Sequence, residues 1–140
     1  MRVGFIYPSW TKSYGIFGYF ARRNSSWPPL NLALLGAVVK QHGHETFIID
    51  GTIGELSVEK IVVEILSKKP DIIGLTPYSP FFHVQVELAP ALKKAAPDLP
   101  IMIHLGSFPH TPVLDTNKLL YQLRKGDIIT HACRGGGGQL

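Results

Sequence analysis

Two short segments of the 140-residue chain gather residue types that meet ligands, Gly106-Ser107-Phe108-Pro109-His110-Thr111 and Thr76-Pro77-Tyr78-Ser79-Pro80-Phe81. In the first, a glycine follows an apolar run, and without a Cβ it lets a ligand approach the backbone closely. The second holds hydroxyls and a phenol on a stretch stiffened by two prolines. An ordinary turn between strand and helix would also account for either segment alone. Six aromatics, Trp10, Tyr14, Phe17, Tyr19, Phe20 and Trp27, crowd a third stretch. Such a concentration suits a lid over a large flat apolar ligand, or a cover over a bare sheet face. His104, His110 and His131 fall at or beyond strand-like runs, where a metal could be gathered. No H-x-H or H-x-x-x-H spacing supports a metal, and histidines satisfied by hydrogen bonds are the simpler reading. Asp50, Asp71 and Asp127 lie at the end of a strand-like run or just before one, where turn and capping roles suffice.

Several chemistries are excluded by what is missing. No G-x-G-x-x-G follows the first apolar run, and neither G-x-x-x-x-G-K-[ST] nor G-x-S-x-G occurs, which removes dinucleotide, P-loop and hydrolase-elbow readings. Cys133 is the single cysteine, so the chain alone can build neither a disulfide nor an iron–sulfur cluster. The formal charge of +4 comes from Lys and Arg spread along the chain, with pairs at Lys68-Lys69, Lys93-Lys94 and Arg124-Lys125. These pairs fall in the last turns of predicted helices, where cations suit the dipole, so nucleic acid is not an expected partner. No apolar run reaches the ~18 residues of a membrane span. The opening MRVGFIYPSW runs straight into a strand with no secretory pattern, and a cytoplasmic setting is expected.

The elements that must position these segments alternate strictly between short β-rich runs and runs of helical period, the pattern of a parallel sheet with crossover helices. Strands are predicted at Arg2 to Tyr7, Glu45 to Asp50, Asp71 to Leu75, Ile101 to Leu105 and Ile128 to Cys133. Between them, an irregular stretch from Pro8 to Trp27 precedes a helix opened by Pro28-Pro29 and running to His42, with Gly43 just past its end. Apolar residues surround this helix, so it is expected to be buried over most of its circumference. Ser57 caps a second helix with Val58, Ile61, Val62, Ile65 and Leu66 on one face, stopped by Pro70. A third, Phe82 to Ala96, carries Val84, Leu88, Ala91, Leu92 and Ala95 on one face, and Pro90 should kink it or delay its start. A fourth runs from Asp115 to Lys125. The whole of 1–140 reads as one doubly wound, flavodoxin-like α/β domain with a five-stranded parallel sheet. The glycine tract 135–138 stands where a fifth helix would follow the fifth strand, so that final helix is missing. Ligands of such sheets bind beyond the carboxyl ends of the strands, where the strand order reverses.

Pro28-Pro29-Leu30-Asn31-Leu32-Ala33-Leu34-Leu35, then Gly43-His44-Glu45 and Ile48-Ile49-Asp50, resemble the amino-terminal cobalamin (vitamin B12)-binding domain of radical S-adenosylmethionine enzymes. The resemblance continues through Pro70-Asp71-Ile72-Ile73-Gly74-Leu75, through Pro100 to Gly106 with Pro109-His110, and through Cys133-Arg134-Gly135, and covers nearly the whole chain. It implies that cobalamin sits over the strand ends with its nucleotide tail between sheet and loops. The implied contacts are Ser9 and Trp10, Thr76, Pro77, Tyr78 and Ser79, Gly106, Ser107, Phe108 and His110, and Arg134 with Gly135. Two positions depart from the family pattern: Gly106-Ser107 replaces a glycine pair, and four glycines after Arg134 replace an acidic Arg-Gly-Glu-Gly-Glu. The D-x-H-x-x-G motif is absent, so no histidine ligand to cobalt is expected from the first loop. The C-x-x-x-C-x-x-C triplet is absent too. S-adenosylmethionine and a [4Fe-4S] cluster would therefore belong to a carboxyl-terminal catalytic domain that this chain lacks, and the chain is not expected to be catalytic alone.

Two other readings compete. Ile103-His104-Leu105-Gly106 and Ile129-Thr130-His131 echo the strand ends of barrel amidohydrolases, which would make the chain a fragment of a metal-dependent hydrolase. A non-catalytic interaction domain would instead use an uncovered sheet face. Without a fifth helix, the first helix alone covers one face. Either the aromatic segment folds back across that face or two chains pair through it as a homodimer.

Overall fold

Val3, Phe5 and Ile6 flank the small Gly4 in a run of β-formers, and in the computed structural model Arg2–Tyr7 forms the central strand β1. The structure describes residues 1–9, 11–20, 28–75, 82–104 and 120–130. Helix α1 spans Leu30–Gln41, β2 Glu45–Asp50, α2 Val58–Ser67, β3 Ile72–Leu75, α3 Phe82–Ala95, β4 Ile101–His104 and β5 Ile128–Thr130. All strands pair in parallel in the order β2-β1-β3-β4-β5, the doubly wound flavodoxin-like arrangement. An open sheet of this order is not a barrel, which removes the main support for the hydrolase reading.

Local signals set the helix limits. Ser57 Oγ accepts from the Lys60 amide at 3.4 Å and caps α2, and Gly43, at φ 78°, takes the left-handed turn that ends α1. Pro90 lies inside α3 and does not delay its start at Phe82. The expected fifth strand is described only to Thr130. Of the expected fourth helix, residues 115–119 lie outside the described residues, and residues 121–125 are turn and coil rather than helix.

Strand alternation gives the sheet two unequal faces. On one, Ile6, Ile49, Ile73, Leu75, Ile101 and Ile103 pack with Ile61, Val62 and Ile65 of α2 and Leu88, Ala89 and Leu92 of α3, all buried. Burying each large aliphatic side chain stabilises by roughly 1.5–3 kcal/mol, so this face supplies the core. On the other face lie Val3, Ile48, Ile72, Met102 and Ile128, only half-buried or exposed. There Phe5 is buried over Gly74, where a Cβ would stand 2.7 Å from its ring.

Among the described residues, α1 is the only helix of regular length on that second face, and it is not buried as the sequence suggested. Only Leu32 and Gly36 reach the sheet, while Leu30 and Leu34 are 70% and 69% exposed. One strip, i and i+4, is all that a lone helix resting on β2 and β1 can bury. The aromatic segment also departs from expectation. Thr11–Phe17 forms a 3-10 helix broken at Gly15, and Tyr14, Phe17, Tyr19 and Phe20 are exposed, so these four side chains do not cover the open face. Trp10 and Trp27 lie outside the described residues.

The amino-terminal edge of the sheet is locked by polar contacts. The exposed Arg2 donates to Glu45 and to the Lys68 carbonyl at the end of α2, and its amide donates to Asp71 Oδ2. The stronger lock is buried. Asp127, just before β5, accepts from Lys93 Nζ on α3, from the Ile101 amide that begins β4 and from the Arg124 amide. Burial alone would raise the Asp127 carboxyl, but these hydrogen bonds and the Lys93 charge outweigh it and hold it below its ordinary range.

The side chains of Lys93 and Asp127 are only 11% and 2% exposed, so removing one partner strands the other. Asp127→Asn should cost about 3 kcal/mol or more in urea unfolding. Because the folded carboxyl titrates lower than the unfolded one, the wild-type contribution is complete above about pH 3.9 and disappears as pH falls through the folded value. A flat stability difference between wild type and variant across that acid range would contradict this assignment.

Candidate functional site

Parallel strands bring Tyr7, Asp50, Leu75, His104 and Thr130 to one edge. Strand order reverses between β1 and β3, since the chain moves from β1 to β2 on one side and from β3 through β4 to β5 on the other. The crevice of a doubly wound sheet opens at that reversal, beyond Tyr7 and Leu75.

The wall beyond β1 and β2 is tightly built. Pro8 and Ser9 are buried directly after β1. The Gly51 amide donates to the Tyr7 carbonyl at 2.7 Å, and a Cβ on Gly51 would stand 2.9 Å from the Ser9 amide nitrogen and 3.1 Å from the Tyr7 oxygen. Only glycine allows the two strand ends to meet so closely. Asp50 Oδ1 accepts from the Thr52 amide and from Thr52 Oγ1 at 2.9 and 2.6 Å, which holds the turn after β2. Asp50, Asp71 and Asp127 thus all serve turns and strand starts.

On the β4 and β5 side, His104 Nδ1 lies 2.7 Å from Thr130 Oγ1 across the register pair that ends both strands. His110 and His131 lie outside the described residues. Among the described residues, no three His, Cys, Asp or Glu side chains converge as a metal site would require.

The feature that sequence reading missed is Gln85. It is 1% exposed, and among the described residues neither its Nε2 nor its Oε1 has a hydrogen-bond partner. The inner face of α3 runs through Gln85, Leu88, Ala89 and Leu92, whereas Val84, Ala91 and Ala95 are half-buried or exposed. Alanines on both sides of this helix blur its apolar stripe, so the pattern alone turned the inner face away from the glutamine. The detectable signal was a lone polar residue one turn before Leu88, in register with the buried leucines. A buried amide with both functions unmet costs roughly 1–3 kcal/mol per group, so it calls for a partner. Thr46 Oγ1 and Gln122 Oε1 also lack one, but on residues less deeply buried.

Of the contacts expected from the sequence, Ser9 stands at the crevice. Trp10, Thr76, Pro77, Tyr78, Ser79, Gly106, Ser107, Phe108, His110, Arg134 and Gly135 lie outside the described residues.

The B12 binding domain family matches residues 18–103. The chain is 30% identical over 118 residues to the anaerobic magnesium-protoporphyrin IX monomethyl ester cyclase of Rubrivivax gelatinosus, a match covering 81% of this chain and 20% of the cyclase. Among solved structures, it is similar to the radical S-adenosylmethionine methyltransferase TsrM of Kitasatospora setae, bound to tryptophan and a S-adenosylmethionine analogue. There the TM-score is 0.56 at 17% identity, over 74% of this chain and 19% of TsrM, a likeness of fold. The chain therefore spans about a fifth of the length of these relatives.

The close approach at Gly51 is testable on its own. Gly51→Ala should destabilise by about 1–3 kcal/mol, because backbone atoms on two strand ends would have to separate. Unchanged thermal stability in this variant would mean that the wall beside Ser9 is looser than the structure describes.

Proposed function

The chain belongs to the B12-binding domain family, and on that premise we propose that it holds cobalamin beyond the carboxyl ends of β1, β3 and β4 as the cofactor module of a radical S-adenosylmethionine enzyme. The observation that carries this reading is the family match over residues 18–103, which runs from ahead of α1 into β4 and includes β3, one of the two strands at the reversal, while β1 precedes it. The site fits the group chemically. Cobalamin is a neutral-rimmed ligand rich in amides and hydroxyls, and Gln85 is an uncharged buried amide with a donor and an acceptor unmet.

In this reading the 140 residues act as one module. Ser9 and Trp10 bound the cofactor after β1, and Thr76, Pro77, Tyr78 and Ser79 meet it after β3. Gly106 and Ser107 let its tail pass, with Phe108 and His110 beside them, and Arg134 and Gly135 flank it. Bound cobalamin supplies a cobalt centre that can carry and release a carbon group. This chain's residues contribute binding, orientation and exclusion of water. A single cysteine cannot hold a [4Fe-4S] cluster, so the cluster and S-adenosylmethionine belong to a catalytic part elsewhere in a longer protein, a reading supported by the greater length of the relatives. The open sheet face and the exposed leucines of α1 offer apolar surface for that catalytic part. Self-association as a homodimer is the alternative use of the same surface.

Equilibrium dialysis against hydroxocobalamin tests the proposal. The purified chain should retain the cofactor, and Gly106→Val should abolish retention while circular dichroism stays unchanged, since a branched side chain would fill the space beside the backbone. No retention by the wild-type chain at high micromolar cobalamin would remove the reading. Full retention by folded Gly106→Val would move the ligand away from β4.

A further inference from the structure

The Gln85 side chain makes no hydrogen bond among the described residues, yet it sits where a polar group is costly. It lies three residues after the start of α3 at Phe82, about 4.5 Å along the axis at 1.5 Å per residue. Because α3 follows β3 and returns to β4, its first turn stands at the carboxyl edge of the sheet, the same edge as the crevice. Side chains of a helix lean toward its amino terminus, so the Gln85 amide leans toward that edge and away from Leu88 and Leu92. Beyond it the helix presents Leu88, Ala89 and Leu92 to the core, with Val86 and Ala91 packed at their side. Nothing in that apolar stripe can satisfy an amide.

We infer that Gln85 is a binding residue for the cofactor, its amide exchanging hydrogen bonds with an uncharged group that both donates and accepts. The inference rests on the cobalamin reading above. A neutral amide in apolar surroundings favours such a group over a phosphate, whose charge would demand a cation beside it. Cobalamin offers the required chemistry at two places, the primary amides around the corrin rim and the ribose hydroxyl of the nucleotide tail. Three rotatable bonds give Gln85 reach toward the crevice mouth from a fixed point on α3.

Two near-isosteric variants, Gln85→Met and Gln85→Leu, remove the polar atoms while keeping the side chain apolar and of similar volume. The full 140-residue chain would be titrated with hydroxocobalamin and, separately, with cobinamide, which keeps the corrin amides and lacks the nucleotide tail. Binding is followed by quenching of tryptophan fluorescence, and thermal unfolding is recorded without ligand. In both variants the Kd for hydroxocobalamin should rise about tenfold, the loss of one or two net hydrogen bonds. The ligand-free variants should melt at the wild-type temperature or above it, because the unmet amide is gone; a residue with a purely structural role would melt lower. A tenfold penalty that persists with cobinamide assigns the partner to a corrin amide, and a penalty that vanishes assigns it to the tail. Unchanged Kd in both folded variants would overturn the role of Gln85 while leaving the cobalamin reading standing. Failure of the wild-type chain to bind hydroxocobalamin would overturn both.

Discussion

Parallel pairing around β1 obliges each strand to be followed by a return path, and every return here brings the chain back to the same edge. Its register aligns Ile6 with Ile49 on one side and with Leu75 on the other, and the pairing of Leu75 with Ile103 continues the row. A shift of one residue in any pair would turn that strand's buried isoleucines outward. The starts of the strands are correspondingly tied, β4 and β5 by Asp127 and β1 to its neighbours through Arg2. With amino ends locked and hydrophobic rows aligned, the crevice beyond the carboxyl ends is held in place by its neighbours. That is where Ser9, Gly51, Gln85 and His104 gather.

The two faces of the sheet divide the labour. The face under α2 and α3 holds the stability, with its isoleucines and leucines sealed from water. The opposite face is thin: α1 touches it through Leu32 and Gly36 while its other leucines remain outside. An isolated globule would gain by replacing those leucines with polar residues. Left as they are, they make α1 and the sheet beside it an apolar surface of the kind that marks interaction sites.

Much of this was legible in the sequence because the signals were local and strong. Pro28-Pro29 and Gly43 bracket α1, Ser57 and Pro70 bracket α2, and the β-rich runs fall on the strands to within a residue in β1, β2 and β3. The family resemblance rested on the order of these pieces, and the match to the B12 binding domain agrees with it. What the sequence hid depends on three-dimensional context. An all-round apolar helix reads as buried whether its cover is in the chain or not, so the exposure of Leu30 and Leu34 could not be foreseen. Interchangeable alanines concealed which way α3 faces, and with it the burial of Gln85. Aromatic content in residues 14–20 indicated a covering role, but Gly15 breaks the 3-10 helix and these rings stay outside.

The central claim is one of place: cobalamin meets this fold at the carboxyl edge. Amide hydrogen exchange of the chain with and without hydroxocobalamin addresses it residue by residue. Protection should increase at Ser9, Gly51 to Ile53 and the first turn of α3, with no change at Arg2, Asp71 or Asp127 on the far edge. Protection confined to Leu30–Gln41 would put the cofactor on the open face instead and contradict the account.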